Sequence, residues 1–227
     1  MAFIVFYITR NFDLIVNGCI NGVALQESGD FMIQDIIHKY NNKDSLYGNK
    51  LTNHLNMGLY ALYKLKASHE HLEAFAMSYI NHNQLADLPP IKVAIDDQNY
   101  DDYLGIDGYY SSYIPFFTDK LEESTIDQVL HTYLNLFIDG SAGGAFHGLI
   151  RLGYAYELKD QEEVAKALAY MAECYKPFPR SEAVKEAPVM DPINGVLALS
   201  SMNYFKTKEF NRDLIIGRME DIYEDPE

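Results

Sequence analysis

The sequence predicts an all-α domain, a bundle-like packing of roughly eight helices, preceded by a short segment of β-like character. Three observations carry this. Apolar residues recur at helical spacing from about Phe31 onward, helix-capping residues stand before several of those stretches, and strand signals beyond residue 26 are few. The domain is therefore placed at 31–227, and residues 1–30 are set apart.

That first segment holds β-rich runs (Phe3 to Thr9, Leu14 to Val16) and two turn-forming pairs, Asn17-Gly18 and Asn21-Gly22. It reads either as a small hairpin or as an appendage, and carries no function. Arg10 and Asp13 interrupt the apolar start before a signal-peptide core develops.

From Phe31, the residues Ile33, Ile36, Ile37 and Tyr40 form one stripe, ended by Asn41-Asn42. Leu51 to Lys66 places Leu55, Leu59, Leu62 and Leu65 on one face. Ser68 caps a helix running to about Asn83, with Leu72, Phe75, Ala76 and Tyr79 inward. Leu88-Pro89-Pro90 breaks the pattern, and the acidic, tyrosine-rich stretch from Asp96 to Tyr110 reads as an ordered loop or short helical turns. Tyr113 to Leu121 is a short helix; Ser124 or Thr125 caps the next, which turns Val129, Leu130, Tyr133, Leu134 and Phe137 to the core.

Ser141 to Leu158 reads as the longest helix, although Gly143, Gly144 and Gly148 fall inside it. Each glycine costs roughly 1 kcal/mol relative to alanine in a helix interior, so close approach of a backbone or a ligand is expected there. Asp160-Gln161-Glu162-Glu163 is a capping box for a helix to about Tyr175, stopped by Lys176-Pro177-Phe178-Pro179. Pro192 to Tyr204 and Glu209 to Tyr223 complete the set, with an acidic, frayed end at 224–227.

Composition narrows the function. The chain has 227 residues, 48% of them hydrophobic, enough for a large core, and a formal charge of -15. Such an excess of acid repels nucleic acid and anionic membranes. The apolar runs fall short of a membrane span, and the two cysteines, Cys19 and Cys174, make no disulfide framework, so a soluble, cytoplasmic protein is expected.

No Walker lysine follows Gly140-Ser141-Ala142-Gly143-Gly144, no His-Glu-x-x-His zinc motif or Cys-x-x-Cys pair is present, and no strand and Gly-rich loop marks a flavin or nicotinamide fold. Of seven histidines, His54 (in Asn53-His54-Leu55) and His147 (in Ala145-Phe146-His147-Gly148) stand inside predicted helices beside small or apolar neighbours. A semi-buried imidazole needs both ring nitrogens satisfied, with Asn53, Arg151 and Tyr154 as candidate partners. His147, Arg151 and Tyr154 share a helix face at spacings of four and seven. On local sequence alone, ordinary core histidines remain the simpler reading.

The ordered blocks Leu51-Thr52-Asn53-His54-Leu55-Asn56-Met57-Gly58, Tyr113-Ile114-Pro115-Phe116-Phe117, Val129-Leu130-His131-Thr132-Tyr133-Leu134 and Gly144-Ala145-Phe146-His147-Gly148-Leu149-Ile150-Arg151-Leu152-Gly153-Tyr154-Ala155 resemble the questin oxidase-like family. The resemblance implies an oxidoreductase that inserts oxygen into, or cleaves, aromatic polyketides such as anthraquinones. It implies His54 and His147 as catalytic residues or metal ligands, with non-haem iron as the metal and NADPH as a diffusible reductant. Asn53, Tyr60, Phe146, Arg151 and Tyr154 then belong to the substrate pocket. Arg151 stands where relatives tend to place a second histidine, and relatives continue beyond the end of this chain with further histidines. A homodimer or a partner chain supplying that portion is therefore expected; the alternative is a truncated, non-catalytic relative that binds a ligand or a partner.

Overall fold

In a computed structural model of the protein, residues 28–177, 191–212 and 215–223 are described. Among them the order is α1 (Ser28–Tyr40), β1 (Leu46–Tyr47), β2 (Leu51–Thr52), α2 (Leu55–Lys64), α3 (His69–Asn83), α4 (Tyr110–Glu123), α5 (Ile126–Phe137), α6 (His147–Leu158), α7 (Gln161–Glu173), α8 (Pro192–Ser201), α9 (Asn203–Thr207) and α10 (Ile215–Tyr223). Single 3-10 turns cover Tyr100–Tyr103, Ile138–Gly140 and Gly143–Phe146. The strands pair antiparallel, Leu46 opposite Thr52 and Tyr47 opposite Leu51. The hairpin expected over 1–26 and the acidic end at 224–227 lie outside the described residues.

Ser68, Thr125 and Asp160 all cap as expected, but the capping box read at Asp160–Glu163 is only half formed, because the Glu163 carboxylate turns to Asn41 and Asn56 and does not reach back to the Asp160 amide. Ser68 accepts from the His71 amide, and Thr125 forms a reciprocal box with Gln128. The Asp160 side chain accepts from the amides of Glu162 and Glu163. Among the helices that carry the two histidines, both start later than expected. Leu51 and Thr52 are taken by the hairpin, so α2 begins at Leu55. The Ser141–Leu158 stretch splits, because Gly144, Ala145 and Phe146 all take positive φ, and α6 begins at His147.

The core has two parts. Tyr110, Tyr113, Phe117 and Leu121 of α4 pack against Val164, Leu168 and Met171 of α7, with Tyr133 and Phe137 of α5 closing one side. Each such side chain, fully buried, contributes about 1.5–3 kcal/mol. The second part joins Ile33, Ile36 and Ile37 of α1 to Leu55 and Leu59 of α2 and Leu72 and Ala76 of α3. Helix α6 bridges them, giving Leu152 and Ala155 to the first and Leu158 to the second.

The glycines explain how α6 reaches α7. A Cβ on Gly143 would stand 1.6 Å from the Cys174 carbonyl oxygen, and one on Gly148 2.7 Å from Met171 Cγ. The close approach expected of them is to protein. Among the described residues no helix is long and apolar enough to cross a membrane.

Candidate functional site

His54 and His147 meet where the first turns of α2 and α6 converge. Their rings are 4.9 Å apart between centres and inclined at 85°, edge to face. Both are half-buried. The small strands deliver the first: Thr52 ends β2, and Asn53 locks the start of α2 by accepting from the Leu55 amide and donating to the Asp44 carbonyl. The His54 amide, a donor left over at the helix start, bonds the Tyr79 hydroxyl of α3 at 3.1 Å. His147 is delivered by three successive left-handed residues, Gly144 (φ 57°), Ala145 (φ 52°) and Phe146 (φ 65°). For alanine and phenylalanine that conformation costs roughly 1–2 kcal/mol each, and strain of this kind concentrates at functional positions.

The ring partners are backbone carbonyls. His54 Nδ1 lies 2.6 Å from the Thr52 oxygen and His147 Nδ1 2.7 Å from the Gly144 oxygen. A carbonyl only accepts, so each Nδ1 carries a proton, and the neutral tautomer this selects has its lone pair on Nε2. This corrects the expectation that Asn53, Arg151 or Tyr154 orient the rings. Burial, then the neighbouring His147, hold His54 below the usual imidazole range, against the opposing pull of the Thr52 carbonyl; His54 is the neutral form at neutral pH.

An imidazole whose Nδ1 is anchored to a carbonyl is the arrangement in which histidine ligates a metal through Nε2. Rings bound through Nε2 to one ion at about 2.0–2.1 Å, at angles between about 90° and 110°, place their centres about 4.5–5.2 Å apart. The 4.9 Å between the two ring centres falls within that range. Among the described residues no group of three or more His, Cys, Asp or Glu is placed to hold an ion.

Beside the histidines runs a buried polar seam. The Arg151 side chain, one turn along α6 from His147, is 7% exposed and faces the Glu163 carboxylate at 3.8 Å, itself 4% exposed. Asn41 and Asn56 donate to that carboxylate at 3.3 and 2.9 Å. Lys166 bonds Glu162 and the Asn41 carbonyl. Two adjoining pockets open on this seam. One, with room for about a single water, is lined by Tyr40, Asn41, Lys43, Asn53, Asn56, Met57 and Arg151. The other, equally small, shares Asn56, Met57 and Arg151 and continues along Tyr60, Tyr154 and Leu158.

Of the residues expected around a substrate, Asn53, Tyr60, Arg151 and Tyr154 thus line these two pockets, whereas Phe146 stands apart, 45% exposed beside His147. The histidines line neither pocket. Sequence reasoning missed Tyr79, read only as core, and Glu163, read only as part of a helix cap.

A family model described as Questin oxidase-like matches residues 51–220. No curated protein matches the chain at a significant level.

Proposed function

Because the chain belongs to the questin oxidase-like family, whose membership suggests an oxidoreductase type of function, we propose that it is an enzyme oxidising an aromatic, polyketide-like substrate with dioxygen at the His54–His147 pair. The observation that carries this reading is the pair itself: two imidazoles from distant parts of the chain, edge to face, each with Nδ1 tied to a carbonyl and Nε2 left to accept.

In this reading His54 and His147 hold non-haem iron through Nε2, and further ligands come from a second copy or a partner chain. Iron supplies the one-electron steps that ground-state dioxygen requires. The rest falls to the chain's own groups. Both rings, fixed by the Thr52 and Gly144 carbonyls, keep one tautomer and one orientation without reorganising. Tyr60 and Tyr154, edge to face at 6.0 Å, offer a flat aromatic a wall to pack on. Asn53 and Arg151 orient its oxygen substituents. Insertion of one oxygen atom sends the other to water and consumes two electrons, for which NADPH serves as the diffusible reductant.

The test is oxygen uptake by purified protein given iron(II), NADPH and a hydroxyanthraquinone, beside His54→Ala and His147→Ala. Uptake that either variant lowers at least ten-fold supports the reading; no uptake, with unaltered metal content in both variants, sinks it. The competing reading, a non-catalytic ligand-binding or association module, is favoured by exposed Ile193, Val196 and Leu197 on α8. Histidine-dependent oxygen uptake separates the two.

A further inference from the structure

The two carbonyls that fix the histidine rings belong to distant segments of the chain, and one side chain of α7 reaches both segments. The Tyr170 hydroxyl shares a 2.7 Å hydrogen bond with the Thr52 hydroxyl, and the Thr52 carbonyl accepts from His54 Nδ1. The same tyrosine hydroxyl occupies the space beside Gly144, where an added Cβ would stand 3.1 Å from it. The Gly144 carbonyl in turn accepts from His147 Nδ1. Tyr170 is 1% exposed, so this hydroxyl is wholly within the fold.

Each segment needs an outside group to hold its carbonyl in direction. Gly144, at φ 57°, has no Cβ to confine it to that conformation, so its neighbours must do so. Those neighbours are the Tyr170 hydroxyl and Cys174 Sγ, the latter 3.2 Å from the same point. On the other side, α7 holds the small hairpin twice. Glu173 accepts from the Ser45 hydroxyl, and the Ser45 carbonyl accepts from the Asn53 amide, which sets the strand. Tyr170 then fixes Thr52 itself, whose side chain and carbonyl are both engaged. The Tyr170 ring packs among the apolar side chains of α4 and α7, a place that phenylalanine would fill equally well. A hydroxyl there has to be desolvated, and its return is the contact with the two segments.

We propose that Tyr170 is a positioning residue for the His54–His147 pair, its one hydroxyl setting both carbonyls and through them both rings. What this does for catalysis rests on the reading of the pair as the reactive site. The positioning itself is a property of the chain and is measurable without metal.

The experiment is two-bond 1H–15N NMR of the histidine-labelled protein at pH 8, with His54→Ala and His147→Ala identifying the two ring signals. In wild type both rings are expected to show the Nδ1–H tautomer and a cross-peak to one another. Tyr170→Phe, which keeps the ring, is expected to shift both histidines towards mixed tautomers and to lose the cross-peak. His38, bonded to Asp160 at the other end of α7, should not move. Thr52→Val, of the same shape as threonine, should move His54 and spare His147, and Thr52→Ser should restore His54. Both rings unmoved in folded Tyr170→Phe, only one of them moved, or His38 moved with them would overturn the proposal, the last because it marks a general loosening of α7. Should Tyr170→Phe fail to fold, Thr52→Val decides, and an unmoved His54 there overturns it. Cobalt(II) should bind Tyr170→Phe at least ten-fold more weakly than wild type. A wild type that binds no cobalt(II) removes the metal reading of the pair, while the ring signals still decide the role of Tyr170.

Discussion

His54 and His147 face each other edge to face at 4.9 Å, and each ring turns its Nδ1 back onto a carbonyl of its own segment, Thr52 and Gly144. Ordinary core histidines would satisfy both nitrogens on protein partners; here the fixed tautomer leaves the Nε2 atoms as acceptors. Cobalt(II), whose visible spectrum reports imidazole ligation, is expected to bind the purified protein at one site per chain. His54→Ala and His147→Ala should each weaken it at least ten-fold, as loss of one of two protein ligands requires. Spectra identical in wild type and both variants would remove the pair from metal binding.

The left-handed run before His147 has a thermodynamic signature. Ala145 holds φ 52° without the freedom of glycine. Ala145→Gly is therefore expected to raise stability to chemical denaturation by about 0.5–1 kcal/mol, the reverse of its effect in a helix interior. A loss of stability would show that this backbone stores no strain.

Gly143 and Gly153 make a contrast within eleven residues of chain. A Cβ at Gly143 would collide with the Cys174 carbonyl, which cannot yield without moving the end of α7, and Gly143→Ala should cost about 3 kcal/mol or more. At Gly153, inside α6, nothing lies within 4 Å, and Gly153→Ala should gain about 0.5–1 kcal/mol from helix propensity alone. Urea midpoints of the two variants, moving in opposite directions, check both claims.

How far the sequence reached follows from the kind of signal each feature leaves. Helices announce themselves through apolar spacing and through Ser68, Thr125 and Asp160, whose side chains do the capping. The histidine pair was legible from family blocks. The groups that hold it were not, because the Thr52 and Gly144 carbonyls belong to the backbone and carry no residue signature. Gly144-Ala145-Phe146 reads as helix, and the turn taken there sets Gly143 against the Cys174 carbonyl, a long-range contact that no local pattern announces. Glu163 sits in the first turn of α7, where acidic residues ordinarily face water; its burial depends on Arg151, Asn41 and Asn56, which no local pattern brings together.

The Arg151–Glu163 pair tests what two buried opposite charges contribute to stability. Removing one charge leaves the other buried, so Arg151→Ala should destabilise by about 3–5 kcal/mol. Replacing both, in Arg151→Met with Glu163→Met, should recover most of that loss, since apolar side chains of similar reach fill the same space. Urea midpoints of the three proteins check this, and a double variant no more stable than Arg151→Ala would mean that apolar side chains cannot refill this space.

Glu173 gives a pH dependence of opposite cause. Burial pushes its carboxyl above the ordinary range, although the Ser45 hydroxyl and the amides of Gly108 and Tyr110 work to lower it by donating to the carboxylate. With the folded-state value raised, the folded protein holds this proton more tightly than the unfolded chain does. The contribution to stability is thus fully present below about pH 4.5, the unfolded value, and is lost as pH rises through the folded value. Glu173→Gln carries no such proton and its amide oxygen still accepts from the two backbone amides. Its melting temperature relative to wild type should therefore improve from pH 4.5 to pH 8; a difference that stays constant, or shrinks, over that range would mean the three donors outweigh burial and Glu173 is ionised at no cost.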